Sequence, residues 1–71
     1  MELDEERLSE WTCRARSEYL EMPGLALTRT QMQRLWSLDA PLCAAVVGRL
    51  IESGFLWCRS NNTYVRAQER P

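Results

Sequence analysis

The chain has 71 residues, 45% hydrophobic and 27% charged, with nine Arg, no Lys and no His against ten carboxylates, for a net charge of −1. That is one small domain, residues 1–71, with a thin core, because a chain of this length buries only about 60% of its unfolded surface. The lack of His excludes a histidine-dependent triad and a histidine metal site, and neither a metal nor a cofactor is expected.

The longest apolar run, Leu42 to Val47, is far too short to span a membrane. The start of the chain (Glu2, Asp4, Glu5 and Glu6) is acidic where a secretory signal is basic. The expectation is therefore no membrane association and a reducing cytoplasm. Cys13, Cys43 and Cys58 are odd in number and widely spaced, which fits neither a disulfide framework nor a paired metal motif. They are expected to be reduced and partly buried. Charge is unevenly spread: residues 1–21 hold seven acids and three bases, residues 22–71 three acids and six bases. Such asymmetry marks an electrostatic partner or a solvated acidic helix.

The first predicted helix runs from Glu5 to about residue 20. Asp4 caps it, and Glu5 and Glu6 sit at the positive end of its dipole. Leu3 and Leu8 occupy the two positions of a hydrophobic staple. Leu8, Trp11, Ala15, Tyr19 and Met22 recur at spacings of three and four, which makes one apolar stripe. Pro23-Gly24 ends the helix, and Leu25-Ala26-Leu27 is at most a minimal strand.

Thr28-Arg29-Thr30-Gln31 is a capping box that opens a second helix, with Leu27 and Met32 as its staple. Met32, Leu35 and Trp36 form its predicted buried face, and it stops near Ser37. Asp39 caps a third helix, and Pro41 is tolerated in its first turn, where a backbone N–H has no partner in any case. Cys43, Val46, Val47, Leu50 and Ile51 form its apolar stripe. Gly54 and Phe55 fit a Schellman ending that folds back on Leu50. About two residues separate the second and third helices, which therefore meet at a sharp angle, as in a helix-turn-helix over about 28–54.

Residues 55–59 and 63–66 read as two strands of a hairpin over about 55–66, with Asn61-Asn62 as a two-residue turn. That turn pairs 59 with 64 and 57 with 66. It sends Leu56, Cys58 and Val65 to the core, and Phe55, Trp57, Arg59, Tyr64 and Arg66 to solvent. Residues 67–71 read as a frayed tail.

The fold class is α+β: three helices, a two-stranded wing and at most a minimal third strand. Leu38-Asp39, the run Cys43 to Leu50, and Leu50-Ile51-Glu52-Ser53-Gly54-Phe55-Leu56 carry a resemblance to the winged helix-turn-helix family of bacterial DNA-binding regulators. The stretch Tyr19 to Thr28 also looks like the lead-in of short bacterial proteins of this fold. The resemblance covers about residues 19–66. It implies DNA binding in transcription regulation, with the third helix as recognition helix.

The predicted solvent side of that helix is Leu42, Ala44, Ala45, Gly48, Arg49 and Glu52. Arg49 is its polar reader, and Ala44 and Ala45 are suited to thymine methyl groups. On the wing, Arg59 and Arg66 are expected to bind phosphate or the minor groove, and Trp57 and Tyr64 to stack, beside the turn residues Asn61 and Asn62. Arg29 and Arg34 add phosphate contacts. Within the chain, the same Arg59 and Arg66 can instead lie over Trp57 and Tyr64 as cation–π pairs.

A protein partner or a homodimer is the other expectation. Ala44, Ala45 and Gly48 admit a close-packed helix, and three tryptophans are many for so small a domain. Enzymatic function is not expected. The cysteines have no neighbouring general base, the acids at the start suit a solvated helix end, and no glycine-rich phosphate loop is present.

Overall fold

The computed structural model describes residues 4–67. It contains α1 (Glu5–Glu21), α2 (Arg29–Trp36), α3 (Ala40–Glu52), β1 (Leu56–Cys58) and β2 (Tyr64–Arg66). The two strands form one antiparallel sheet. This is an α+β arrangement with the element order of a small winged helix. The predicted staple between Leu3 and Leu8 involves a residue outside the described ones, as does the predicted tail beyond residue 67.

Each helix starts and stops as its end residues direct. The Asp4 carboxylate accepts from the Glu6 N–H at 3.0 Å, and the Asp39 carboxylate from the Leu42 N–H at 2.9 Å. Both halves of the Thr28–Gln31 capping box are made, at 3.1 and 2.8 Å. After α1, the Leu25 N–H donates to the Met22 carbonyl across Pro23-Gly24, with Gly24 at φ 87°, the arrangement of a type II turn. After α3, Phe55 N–H donates to Leu50 and Gly54 N–H to Ile51, both at 3.0 Å. This is the predicted Schellman ending, with Gly54 at φ 81°.

The core gathers Leu8, Ala15 and Tyr19 from α1, Met32 from α2, and Leu42, Cys43, Val46, Val47 and Leu50 from α3, closed by Leu56 and Tyr64 of the sheet. Leu38, in the short connection before α3, joins them. The α3 stripe differs from the predicted one at its edges. Leu42 is buried instead of exposed, and Ile51 is exposed. The rows Leu42–Val46–Leu50 and Cys43–Val47 both face the core, and Ile51, which continues the second row at the end of the helix, is left uncovered. On α2, Leu35 is 57% exposed, against the predicted buried face. Here Trp36 does the packing instead, with its ring centroid 6.5 Å from that of Trp11 on α1. Cys13 and Met22 are also exposed; only Cys43 of the three free thiols is buried.

The hairpin register is one residue off the predicted one. Leu56 pairs with Arg66, Trp57 with Val65 and Cys58 with Tyr64. The connection is a three-residue loop, Ser60 to Asn62, closed by Arg59 N–H to Thr63 at 2.8 Å and Asn62 N–H to Arg59 at 2.9 Å. A two-residue type I′ turn needs positive φ at both central positions, and only Asn62 adopts it, at 67°. Asn61 instead turns its side-chain oxygen to the Thr63 N–H and hydroxyl.

The minimal third strand is a single bridge. Leu27 exchanges both backbone hydrogen bonds with Tyr64, at 2.7 and 3.3 Å. Tyr64 thus lies between two backbone neighbours, whereas Cys58 sits on the open edge and is exposed, contrary to its predicted place in the core. Ala67 is not frayed: its N–H donates to the Phe55 carbonyl at 2.9 Å.

Candidate nucleic-acid interface

The shift in register redistributes the predicted wing residues. Tyr64 is 7% exposed and belongs to the core, so it is not a stacking platform on the outer face. Trp57 stands on the opposite side of the sheet, paired with Val65, and is half-buried. Arg59, Asn61 and Asn62 are exposed at the wing tip. Arg66 is half-buried, with its guanidinium carbon 5.9 Å from the centroid of the Phe55 ring. Arg16 of α1 lies 5.2 Å from the same ring. The cation–π contacts seen at the wing among the described residues are those on Phe55.

The Tyr64 hydroxyl reaches α2, where it accepts from Nε of Arg29 at 3.2 Å. That bond fixes the direction of the guanidinium. Arg29, Thr28, Thr30, Asn62 and Tyr64 line one cleft of about 350 Å³ between the start of α2 and the wing loop. Three of the predicted residues, Arg29, Asn62 and Tyr64, thus meet in one place. Their setting is cationic, hydroxyl-rich and at the positive end of a helix dipole, which suits a phosphate oxygen. Thr28 and Thr30 were not singled out from sequence as site residues. The capping box placed them at the helix start, but only the Leu27–Tyr64 bridge brings that start to the wing.

The third helix provides little for reading bases. Ala44 is half-buried and Ala45 packs against the core. Arg49 is held from α1, where its Nη2 lies 2.8 and 2.9 Å from the two carboxylate oxygens of Glu5. What α3 exposes is Ala40, Pro41, Arg49, Ile51 and Glu52, with Ala44 and Gly48 half-buried between them, so the one donor side chain on this face is the Arg49 already engaged by Glu5. Arg34 is separate from the cleft and lines a shallow groove with Leu27, Gln31 and Leu35.

Burial pushes the Cys43 thiol above its ordinary pKa, against the opposing pull of Arg29. Such a thiol is less ionised and a poorer nucleophile. Among the described residues no helix is long and apolar enough to cross a membrane. Comparison with family models, with curated proteins and with solved structures finds no match to this chain.

Proposed function

We propose that this chain is a small winged-helix DNA-binding protein, an accessory factor that grips the phosphate backbone with the start of α2 and the wing. The observation that carries the reading is the cleft in which Tyr64 orients Arg29 beside Thr28, Thr30 and Asn62. Arg59, exposed at the wing tip, extends the same cationic edge. Phosphate contacts position a protein on DNA without specifying sequence, which suits an α3 face poor in base-reading groups. The function is one of binding, not catalysis. Its place is a reducing cytoplasm, which suits three free thiols.

Fluorescence anisotropy with mixed-sequence duplex DNA at two salt concentrations tests this. Binding should weaken with salt, with a log–log slope of about −0.9 for each phosphate contact. Arg29→Ala and Arg59→Ala should each weaken binding and make the slope shallower by about one. No binding at low salt with protein near 10⁻⁴ M, the weak end of non-specific affinity, overturns the proposal.

A protein-docking role for α3 is the second reading. It is favoured by exposed Ile51 beside Ala44 and Gly48, where a Cβ added at Gly48 meets no atom within 4 Å. It predicts that Gly48→Leu folds normally and leaves DNA binding unchanged.

A further inference from the structure

The cleft between the start of α2 and the wing loop is lined by Thr28, Arg29, Thr30, Asn62 and Tyr64. Every lining side chain can donate a hydrogen bond, and none is a carboxylate. The walls are fixed before any ligand arrives. The capping box holds one side, and the paired backbone bonds between Leu27 and Tyr64 hold the other.

Most of these donors are unspent. Arg29 gives its Nε–H to Tyr64, which leaves both Nη groups. Thr28 Oγ1 accepts from Gln31 N–H and keeps its own proton, and the Thr30 hydroxyl makes no hydrogen bond among the described residues. The N–H groups of Arg29 and Thr30 open α2 and have no acceptor within it. On the floor of the cleft, Tyr64 is 7% exposed. Its phenol oxygen takes the Arg29 proton, so its own proton turns elsewhere, and it meets no acceptor among the described residues. A buried hydroxyl with an unspent proton, beside a guanidinium and a helix start, marks the place of an anion.

We propose that this anion is a phosphate monoester at the end of a nucleic-acid strand, an inference that rests on the phosphate-binding reading of the cleft. A phosphate inside a strand carries a single charge and has a sugar on either side, which keeps it at the rim. A terminal phosphate carries close to two charges and three strong acceptor oxygens. Its single ester link lets it reach the floor at Tyr64. Donors converging from the start of α2, from Tyr64 and from Asn62 suit the three oxygens of a monoester better than the two free oxygens of a diester. Arg29 supplies the charge, and the hydroxyls of Tyr64 and Thr30 distinguish an end from an interior phosphate.

Anisotropy titrations compare short, internally labelled duplexes of one sequence that end in a 5′-phosphate, in a 3′-phosphate or in hydroxyls only. At least one phosphorylated end should bind about fivefold or more tighter than hydroxyl ends, and the two arms tell which end of the strand is held. Tyr64→Phe and Thr30→Val should each lower that ratio at least about twofold. Thr30 is exposed, so its variant keeps the fold, and circular dichroism checks both. Equal binding of all three duplexes overturns the inference and leaves the backbone grip standing. Binding of a phosphorylated duplex alone supports the inference and overturns the backbone grip. No binding of any duplex overturns both. A ratio that survives Tyr64→Phe and Thr30→Val overturns the inference, as does a phosphoserine peptide that competes as well as the phosphorylated strand.

Discussion

The hydroxyl of Tyr19, in the last turn of α1, donates a 2.7 Å hydrogen bond to the backbone carbonyl of Tyr64 at the start of β2. Both residues are buried, and the same carbonyl also accepts from Leu27 N–H. One side chain thus ties the first helix to the sheet by a bond that excludes water. Tyr19→Phe keeps the ring that meets Phe55 edge-on at 6.4 Å and removes only the hydroxyl. The Tyr64 carbonyl keeps one partner, so the expected loss is about 1 kcal/mol, read by urea denaturation. Tyr19→Ala empties the core position and should cost about 3–5 kcal/mol, enough to threaten folding of so small a domain.

Alkali should weaken the fold. Burial pushes the Tyr19 phenol up, with help from neighbouring Cys43, and burial also raises the Cys43 thiol. Both groups are neutral when protonated, so the unfolded chain loses these protons first as pH rises. Their contribution is full below the ordinary thiol range. It is lost progressively from the unfolded values, about 8.5 for Cys and about 10 for Tyr, until the folded groups ionise. Denaturation midpoints measured from pH 7 to 11 should fall at the alkaline end. Cys43→Ala should remove the lower part of that fall and Tyr19→Phe the upper part.

A single nitrogen of Arg49, Nη2, is shared between both Glu5 carboxylate oxygens at the surface, with both side chains well exposed. Exposed pairs contribute little, so Arg49→Ala should change stability by less than about 1 kcal/mol. Because the pair draws Arg49 towards α1, the same variant should leave DNA affinity within about twofold of wild type. A large loss of affinity in the anisotropy titration would instead make α3 a contact surface.

The wing loop depends on one left-handed residue. Asn62, at φ 67°, tolerates that conformation better than other side chains. Asn62→Gly should alter thermal stability by less than about 0.5 kcal/mol, whereas Asn62→Val should cost about 1–2 kcal/mol. If both variants melt alike, the loop does not have this conformation in solution.

The helix ends were legible in the sequence because capping is local chemistry: Asp4, Thr28-to-Gln31, Asp39 and Gly54-Phe55 act within a few residues of themselves. The element order followed from them. The wing register was not legible, since it turned on whether one or two asparagines took positive φ. That single choice put Tyr64 on the face of Leu56 and so into the core. Cys58 shares that face in either register and is exposed because it lies on the open edge. The exposure of Leu35 and Ile51 was also hidden, because periodicity names an apolar arc and tertiary packing decides which edge of it is covered. Of the candidate site, Arg29 and the wing tip were legible as cationic positions. Their meeting was not, because it depends on the one-residue bridge between Leu27 and Tyr64.

That bridge also orders events in time. Tyr64 bonds to residues 45 and 35 positions earlier in the chain, through Tyr19 and Arg29. Closing such long loops is entropically expensive until the helices already hold their places. The hairpin itself is local, pairing Cys58 with Tyr64 and Leu56 with Arg66, but its attachment to Tyr19 and Arg29 needs both α1 and α2 already in place, so the docking of the wing is expected to come late, after the transition state. Removing the Tyr19 hydroxyl should then accelerate unfolding and leave the folding rate nearly unchanged. Stopped-flow refolding and unfolding of Tyr19→Phe separates the two rates.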